Sequence, residues 1–238
     1  FDCAGAWKTD SSDFTYHYFE AISDTDFKAC VNLYSCNNYG LPSGGSNPVR
    51  FYAPLFYPKT NSLIWPKYQS GTQKYFNQVS GSGYTGIQVA GEIGRYEFSP
   101  DGNSFAYIQQ GTVYVRTLGV NVSGNPIWHN AEAKPSQGGY SRLTWSPDNQ
   151  TLLIGNGSDI YIINTSESSP SQGNPINSAS NNCTLGSFNQ GGTKIAYHCT
   201  NTDGTTAIFI NNTNGGSEIE ITRSVSGEST SFEYPRWI

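Results

Sequence analysis

The residues whose types and spacing could do chemistry are few. Five cysteines stand at Cys3, Cys30, Cys36, Cys183 and Cys199. Cys183 and Cys199 lie eight residues either side of Gly191. A hairpin pivoting there sets them face to face, close enough for a disulfide. Cys3, Cys30 and Cys36 supply one further bridge and one orphan, with Cys3 paired to either of the other two as a tie for the N-terminal segment. Asp101 and Asp148 are tempting as paired carboxylates. They sit, however, inside the turns Ser99-Pro100-Asp101-Gly102 and Ser146-Pro147-Asp148-Asn149, where aspartate caps backbone N–H groups. His17, His129 and His198 each lack a surrounding motif. No cluster of His and Cys has zinc spacing, so neither metal nor cofactor is expected. Gly81-Ser82-Gly83-Tyr84-Thr85-Gly86 matches a dinucleotide fingerprint, but without a following helix it reads as an inter-repeat loop. Asn201-Thr202-Asp203-Gly204 has a faint calcium-loop pattern without the downstream ligands, and a hairpin turn is expected. A G-x-S-x-G nucleophile elbow is absent.

The elements that must position these residues are β-hairpins. In Ser99-Pro100-Asp101-Gly102, proline fixes φ at the second place and glycine accepts the positive φ that follows. In Ser146-Pro147-Asp148-Asn149, asparagine takes the left-handed place, the next best choice. Taking Phe98 as reference, apolar companions follow at Phe105 and Tyr107. The same +7 and +9 frame fits Trp7, Phe56, Trp145 and Phe188. The intervals between the five references are 49, 42, 47 and 43 residues. A period in the forties with short strands is the mark of propeller blades. Further strands are expected at Lys74 to Phe76, Val113 to Val115, Ile160 to Ile163 and Ala207 to Ile210. Polar outer strands are expected at Glu218 to Thr222 and around Ile127-Trp128. Several of these runs are apolar at consecutive positions, as when both faces of a sheet are covered. Before residue 50 the frame weakens: strands are expected at Phe14 to Ile22 and Cys30 to Tyr34, then a loop over 37–48. Residues 232–238 read as a last strand that pairs with the N-terminal segment and closes the ring.

Composition agrees with an all-β chain. Charged residues make up only 13% of the 238, while Gly 26, Tyr 16 and Phe 12 are high, the reverse of a helical balance. The net charge of -5 offers no phosphate-binding face, so no nucleic acid is expected. No run approaches the ~18 apolar residues of a membrane span. The cysteines suit an oxidising compartment: extracellular, cell-surface or periplasmic. Sequons at Asn121, Asn149, Asn156, Asn164, Asn182 and Asn211 suit a glycosylated surface protein. The surplus aromatics Trp65, Tyr68, Tyr84 and Trp128, near strand ends, could stack on sugars or anchor a partner.

The motif Phe98-Ser99-Pro100-Asp101-Gly102-Asn103-Ser104-Phe105-Ala106-Tyr107 and its echo at Trp145 to Asn149 resemble the WD40-like repeat of TolB-type β-propellers. The resemblance covers most of residues 50–238. It implies a single propeller domain over 1–238, and the repeats counted above make about five four-stranded blades, where TolB has six. It also implies a non-enzymatic module that docks a protein partner or assembles with copies of itself at a surface or in a filament. Two alternatives stand beside it: a lectin-like propeller that binds glycans, and a propeller detached from a peptidase or glycosidase. A glycosidase needs facing inner-strand carboxylates about 5–10 Å apart. The inner strands offer Glu97 and Glu233, with Thr144 and Leu55 at the equivalent places in two other repeats.

Overall fold

Each of the five +7 pairs becomes a pair of directly opposed residues on two antiparallel strands. They are Trp7 with Phe14, Phe56 with Leu63, Phe98 with Phe105, Trp145 with Leu152 and Phe188 with Ile195. The computed structural model describes residues 4–7, 14–17, 19–23, 26–31, 35–40, 50–51, 55–60, 62–69, 72–77, 83–91, 93–134, 138–167, 173–177 and 182–224, mostly as backbone alone before residue 86. They fall into two compact units, Phe1–Glu92 and Ile93–Ile238. The segment 232–238, with Glu233, lies outside the described residues.

In the first unit, β1 (Ala4–Trp7) pairs with β2 (Phe14–His17), and β3 (Phe19–Ser23), β4 (Asp26–Val31) and β5 (Ser35–Gly40) form a separate three-stranded sheet. The expected strand from Phe14 to Ile22 is thus two strands in two sheets. Cys30 is not the start of a strand reaching Tyr34: β4 ends at Val31, and β5 occupies part of the span expected as loop. The register sets Cys30 opposite Cys36. The next sheet holds β6 (Arg50–Phe51), β7 (Leu55–Tyr57), β8 (Ser62–Gln69), β9 (Thr72–Asn77) and β10 (Gly83–Ala90). The glycine-rich stretch after Ser82 is therefore strand rather than loop. Its pairing with β9 breaks register between Tyr84 and Gln88, and Gly86 there has φ 84°. Glycine supplies the conformation such a bulge needs.

The second unit repeats the hairpin pattern. Its first sheet is β11 (Tyr96–Phe98), β12 (Ser104–Gln109), β13 (Thr112–Val120) and β14 (Pro126–Trp128), with β15 (Glu132–Ala133) also paired to β13. The second is β16 (Arg142–Trp145), β17 (Thr151–Gly155) and β18 (Ile160–Asn164). The third is β19 (Asn182–Phe188), β20 (Lys194–Thr200), β21 (Thr206–Asn212) and β22 (Ile219–Arg223). Leu152, Leu153 and Ile154 show why consecutive positions are apolar. Leu152 and Ile154 pack against Ala106, Ile108 and Val113 of the first sheet, while Leu153 packs toward Ile195 and Tyr197 of the third. All three are fully buried, each contributing about 1.5–3 kcal/mol.

The second sheet has three strands where four are expected. The segment 173–177 stands at its edge instead: the Ile176 N–H donates to the Ile160 carbonyl, and the buried Asn177 side chain accepts from the Ile160 N–H at 2.8 Å. A side-chain amide here does the work of a ladder. Lys134 is a buried cation, 5% exposed. Its ammonium donates to the Thr165 and Glu167 carbonyls and pairs with Glu132 at 3.1 Å, tying the first sheet to the end of the second.

Candidate functional site

The repeat turns occupy one end of the inner strands β11 and β16, and they are built for structure. The Gly102 N–H donates to the Ser99 carbonyl, and the Asn149 N–H to that of Ser146. Gly102 and Asn149 have φ 68° and 62°, the left-handed conformation that each residue type was expected to supply. Asp101 accepts from the Ser99 hydroxyl at 2.6 Å and the Asn103 N–H at 2.9 Å. Asp148 accepts from the Gln150 and Thr151 amides and the Thr151 hydroxyl. The two turns also meet: the Asp101 N–H donates to Asn149 Oδ1 at 2.8 Å. Both aspartates are capping groups.

Glu97, the described member of the inner-strand carboxylate pair, latches β11 to β16. It accepts from the Trp145 N–H at 3.1 Å and stands 3.5 Å from the Thr144 hydroxyl, while the Trp145 indole donates to the Glu97 carbonyl at 3.2 Å. A carboxylate engaged with a backbone amide and an adjacent strand acts as a fastener between repeats.

The opposite end of the same two strands carries a different chemistry. Arg95 and Arg142 each stand three residues before the reference aromatic of their repeat, Arg95 just ahead of β11 and Arg142 as the first residue of β16, the two strands that the Glu97 latch joins. Arg95 is exposed and Arg142 half-buried. A guanidinium is a planar, bidentate donor suited to carboxylates. Two residues before Arg142, Tyr140 is buried, its N–H donating to the Gly111 carbonyl and its ring meeting Tyr161 edge-on at 6.3 Å. The Tyr140 hydroxyl has no hydrogen-bond partner among the described residues. Burial and the neighbouring Tyr161 push its pKa up to about 12. It stays protonated near neutral pH, so it is a donor in search of an acceptor and not a base. The arginine pair was open to sequence reading: the interval of 47 residues that relates Phe98 to Trp145 also relates Arg95 to Arg142.

The other expected residues are more dispersed. Cys183 and Cys199 form the expected disulfide between β19 and β20, with Cα atoms 4.0 Å apart. Such bonds form in oxidising compartments. Trp128 is not an open stacking platform. It is half-buried, with ring centroids 5.9 Å from Phe98 and 6.5 Å from Phe105, completing an aromatic layer on the first sheet. Trp65 and Tyr68 lie on β8 and Tyr84 on β10, in the first unit. His198 Nε2 is 3.1 Å from the Thr184 hydroxyl across the β19–β20 pair. His129 is exposed, with its ring over Gly119, where any Cβ would meet Nε2 at 2.1 Å. Asn201 to Gly204 is the expected hairpin turn, with the Gly204 N–H donating to the Asn201 carbonyl. Among the described residues no three of His, Cys, Asp and Glu come together in a group that could hold a metal ion. No helix there is long and apolar enough to cross a membrane.

Neither a protein-family model nor a curated protein sequence matches the chain. Solved structures do. An oligogalacturonate lyase in complex with manganese aligns with TM-score 0.58 at 11% identity, over 92% of this chain and 64% of the lyase. The chain thus spans under two thirds of that enzyme's length. The periplasmic gluconolactonase of Pseudomonas aeruginosa aligns with TM-score 0.53 at 11% identity, over 92% of this chain and 69% of that one. A TolB-type protein from Agrobacterium tumefaciens aligns with TM-score 0.54 at 13% identity, over 93% and 80%. At these identities the likeness concerns the fold, which is all-β and of propeller type. It also corrects the functional reading. A non-enzymatic docking or assembly module does not follow from the TolB resemblance, because a lyase and a lactonase share the fold equally well. The missing nucleophile elbow argues only against a serine hydrolase, and "not an enzyme" does not follow from it.

Proposed function

We propose that the chain is an extracytoplasmic, carbohydrate-active propeller that takes acidic sugars, uronates or aldonates, at the end of the inner strands bearing Arg95 and Arg142. The observation that carries the reading is the placement of two arginines at one repeat position, at the starts of two adjacent strands, β11 and β16. A guanidinium binds a carboxylate through two parallel N–H groups, and a pair of such forks suits the repeated carboxylates of an oligouronate. The fold is shared with an oligogalacturonate lyase and a gluconolactonase, whose names both describe acidic sugars or their lactones. Manganese is named with the lyase, but the described residues bring no donor set together for a metal, so no step is routed through one here.

Titration calorimetry with trigalacturonate and with its neutral methyl ester tests the proposal, alongside an assay for product from each. The expected result is binding of the acid that weakens at least tenfold against the ester, and again at least tenfold in the Arg95→Gln/Arg142→Gln double variant. It should also weaken steeply with salt. Equal affinity for acid and ester, or an unchanged double variant, would overturn the reading.

A further inference from the structure

Six sequons are spread along the chain, and the structure divides them by what each asparagine side chain is already doing. Asn211 is 1% exposed. Its Nδ2 donates to the Ile176 carbonyl and its Oδ1 accepts from the Asn212 and Ser217 amides. Asn149 holds the left-handed turn position, accepts from the Asp101 N–H and points its Nδ2 at the Pro147 carbonyl, 3.4 Å away. Asn182 lies within β19, paired with Thr200 and next to the disulfide. A sugar on Asn211 or Asn149 would break the bonds that hold the fold.

Asn121, Asn156 and Asn164 share another geometry. In each, Oδ1 accepts from the backbone N–H of the serine two residues on, the third residue of its own sequon. Those bonds are 2.9 Å to Ser123, 2.9 Å to Ser158 and 3.0 Å to Ser166. The oxygen is thereby fixed, and the Nδ2 of all three makes no hydrogen bond among the described residues. The sites occupy the β13–β14 tip, the β17–β18 turn and the end of β18, and their side chains are exposed or half-exposed. We infer that Asn121, Asn156 and Asn164 are the N-glycan acceptors of this protein, and that Asn149 and Asn211 are sequons in sequence only.

The donor is an oligosaccharide linked through phosphate to a lipid carrier. Nδ2 forms a bond to the sugar C1, the C1–O bond to phosphate breaks with its electron pair leaving on the lipid phosphate, and one amide proton passes to the transferase. The inference is independent of the acidic-sugar site.

Peptide mass spectrometry on the protein isolated from its source cells tests it. Hexose-bearing peptides should cover positions 121, 156 and 164, while the peptides containing Asn149 and Asn211 carry none. Ser123→Ala, Ser158→Ala and Ser166→Ala each keep the backbone N–H that fixes the turn, so the fold is retained. Each should remove one glycan mass step. Bare peptides at all three sites, or sugar on Asn211 in folded protein, would overturn the inference.

Discussion

The hairpins β11–β12 and β19–β20 start from the same frame and are held by different chemistry. The first keeps the full Ser-Pro-Asp-Gly turn and is fastened to its neighbour by Glu97 and by the Asp101–Asn149 contact. The second has lost proline and aspartate. Asn189 stands in, with its Oδ1 accepting from the Thr193 and Lys194 amides at 2.9 Å, and the strands are joined covalently at Cys183 and Cys199. Its register breaks between Thr184 and Ser187, where Gly186 lies so close to β20 that an added Cβ would fall 1.5 Å from the Ala196 carbonyl oxygen. The comparison teaches that the repeat conserves a job, capping the N–H groups after a left-handed residue, and not one residue to do it. Where local turn chemistry is weaker, a crosslink restricts the unfolded chain instead.

The largest effect should come from removing that crosslink. A loop of this size restricts the denatured chain by about 3 kcal/mol, so Cys183→Ala/Cys199→Ala should lower urea-unfolding stability by about that amount. In hydrogen exchange the loss should concentrate on amides of β19 to β21 and spare β11 to β13. Uniform loss over both hairpins would mean that the third sheet does not depend on its own staple.

The matching cut in the first hairpin is Glu97→Ala, which strips the acceptor from the N–H of Trp145, a residue 5% exposed. Leaving a buried donor unpaired costs about 2 kcal/mol. Glu97→Gln, which keeps one acceptor oxygen, should recover much of it. Unfolding curves in urea separate the outcomes. If alanine and glutamine behave alike, apolar packing alone joins β11 to β16 and the latch is incidental.

How far this was legible in the sequence depends on the distance over which the controlling interaction acts. The +7 frame was readable because turn geometry fixes register within a few residues, and all five pairs are opposed. The disulfide was readable by a compensation. Cys183 and Cys199 are equidistant from Gly191, but Phe188 and Ile195 are not; the one-residue slip at the Gly186 bulge lies between the two pairs. The strands before residue 50 differ from expectation because Phe14 to Ile22 is rich in aromatics and has no Gly, Pro, Asn or Asp where β2 gives way to β3. Glu97 looked like a candidate acid because its partners, Thr144 and Trp145, lie 47 and 48 residues away. Arg95 and Arg142 went unnoticed because the frame was read for its aromatic members, and its −3 position is arginine in only two of the five repeats, with Ala4, Ala53 and Leu185 in the others.

A finer division, between the β16–β17 hairpin and β19–β20, is in their response to acid. Asp148 and Asn189 do the same work in consecutive turns, one with a charge and one without. Partial burial pulls the Asp148 pKa upward, but the Thr151 hydroxyl, the Gln150 and Thr151 amides and the Ser146 hydroxyl outweigh it and hold the carboxyl below its ordinary value. A carboxyl whose folded pKa lies below its unfolded one contributes stability that is fully present above the unfolded value, near about 4. That contribution is lost as pH falls through the folded value. Asn189 has no such dependence. Protection of the Thr151 amide should therefore drop on acidification below about pH 4 while that of the Thr193 amide holds, and Asp148→Asn should abolish the difference. The effect is small because Asp148 is largely exposed, and site-resolved amide exchange between neutral and acid pH is the measurement that detects it. Equal acid response at Thr151 and Thr193 would show that the aspartate turn draws its strength from shape alone, leaving the two hairpins with one chemistry instead of two.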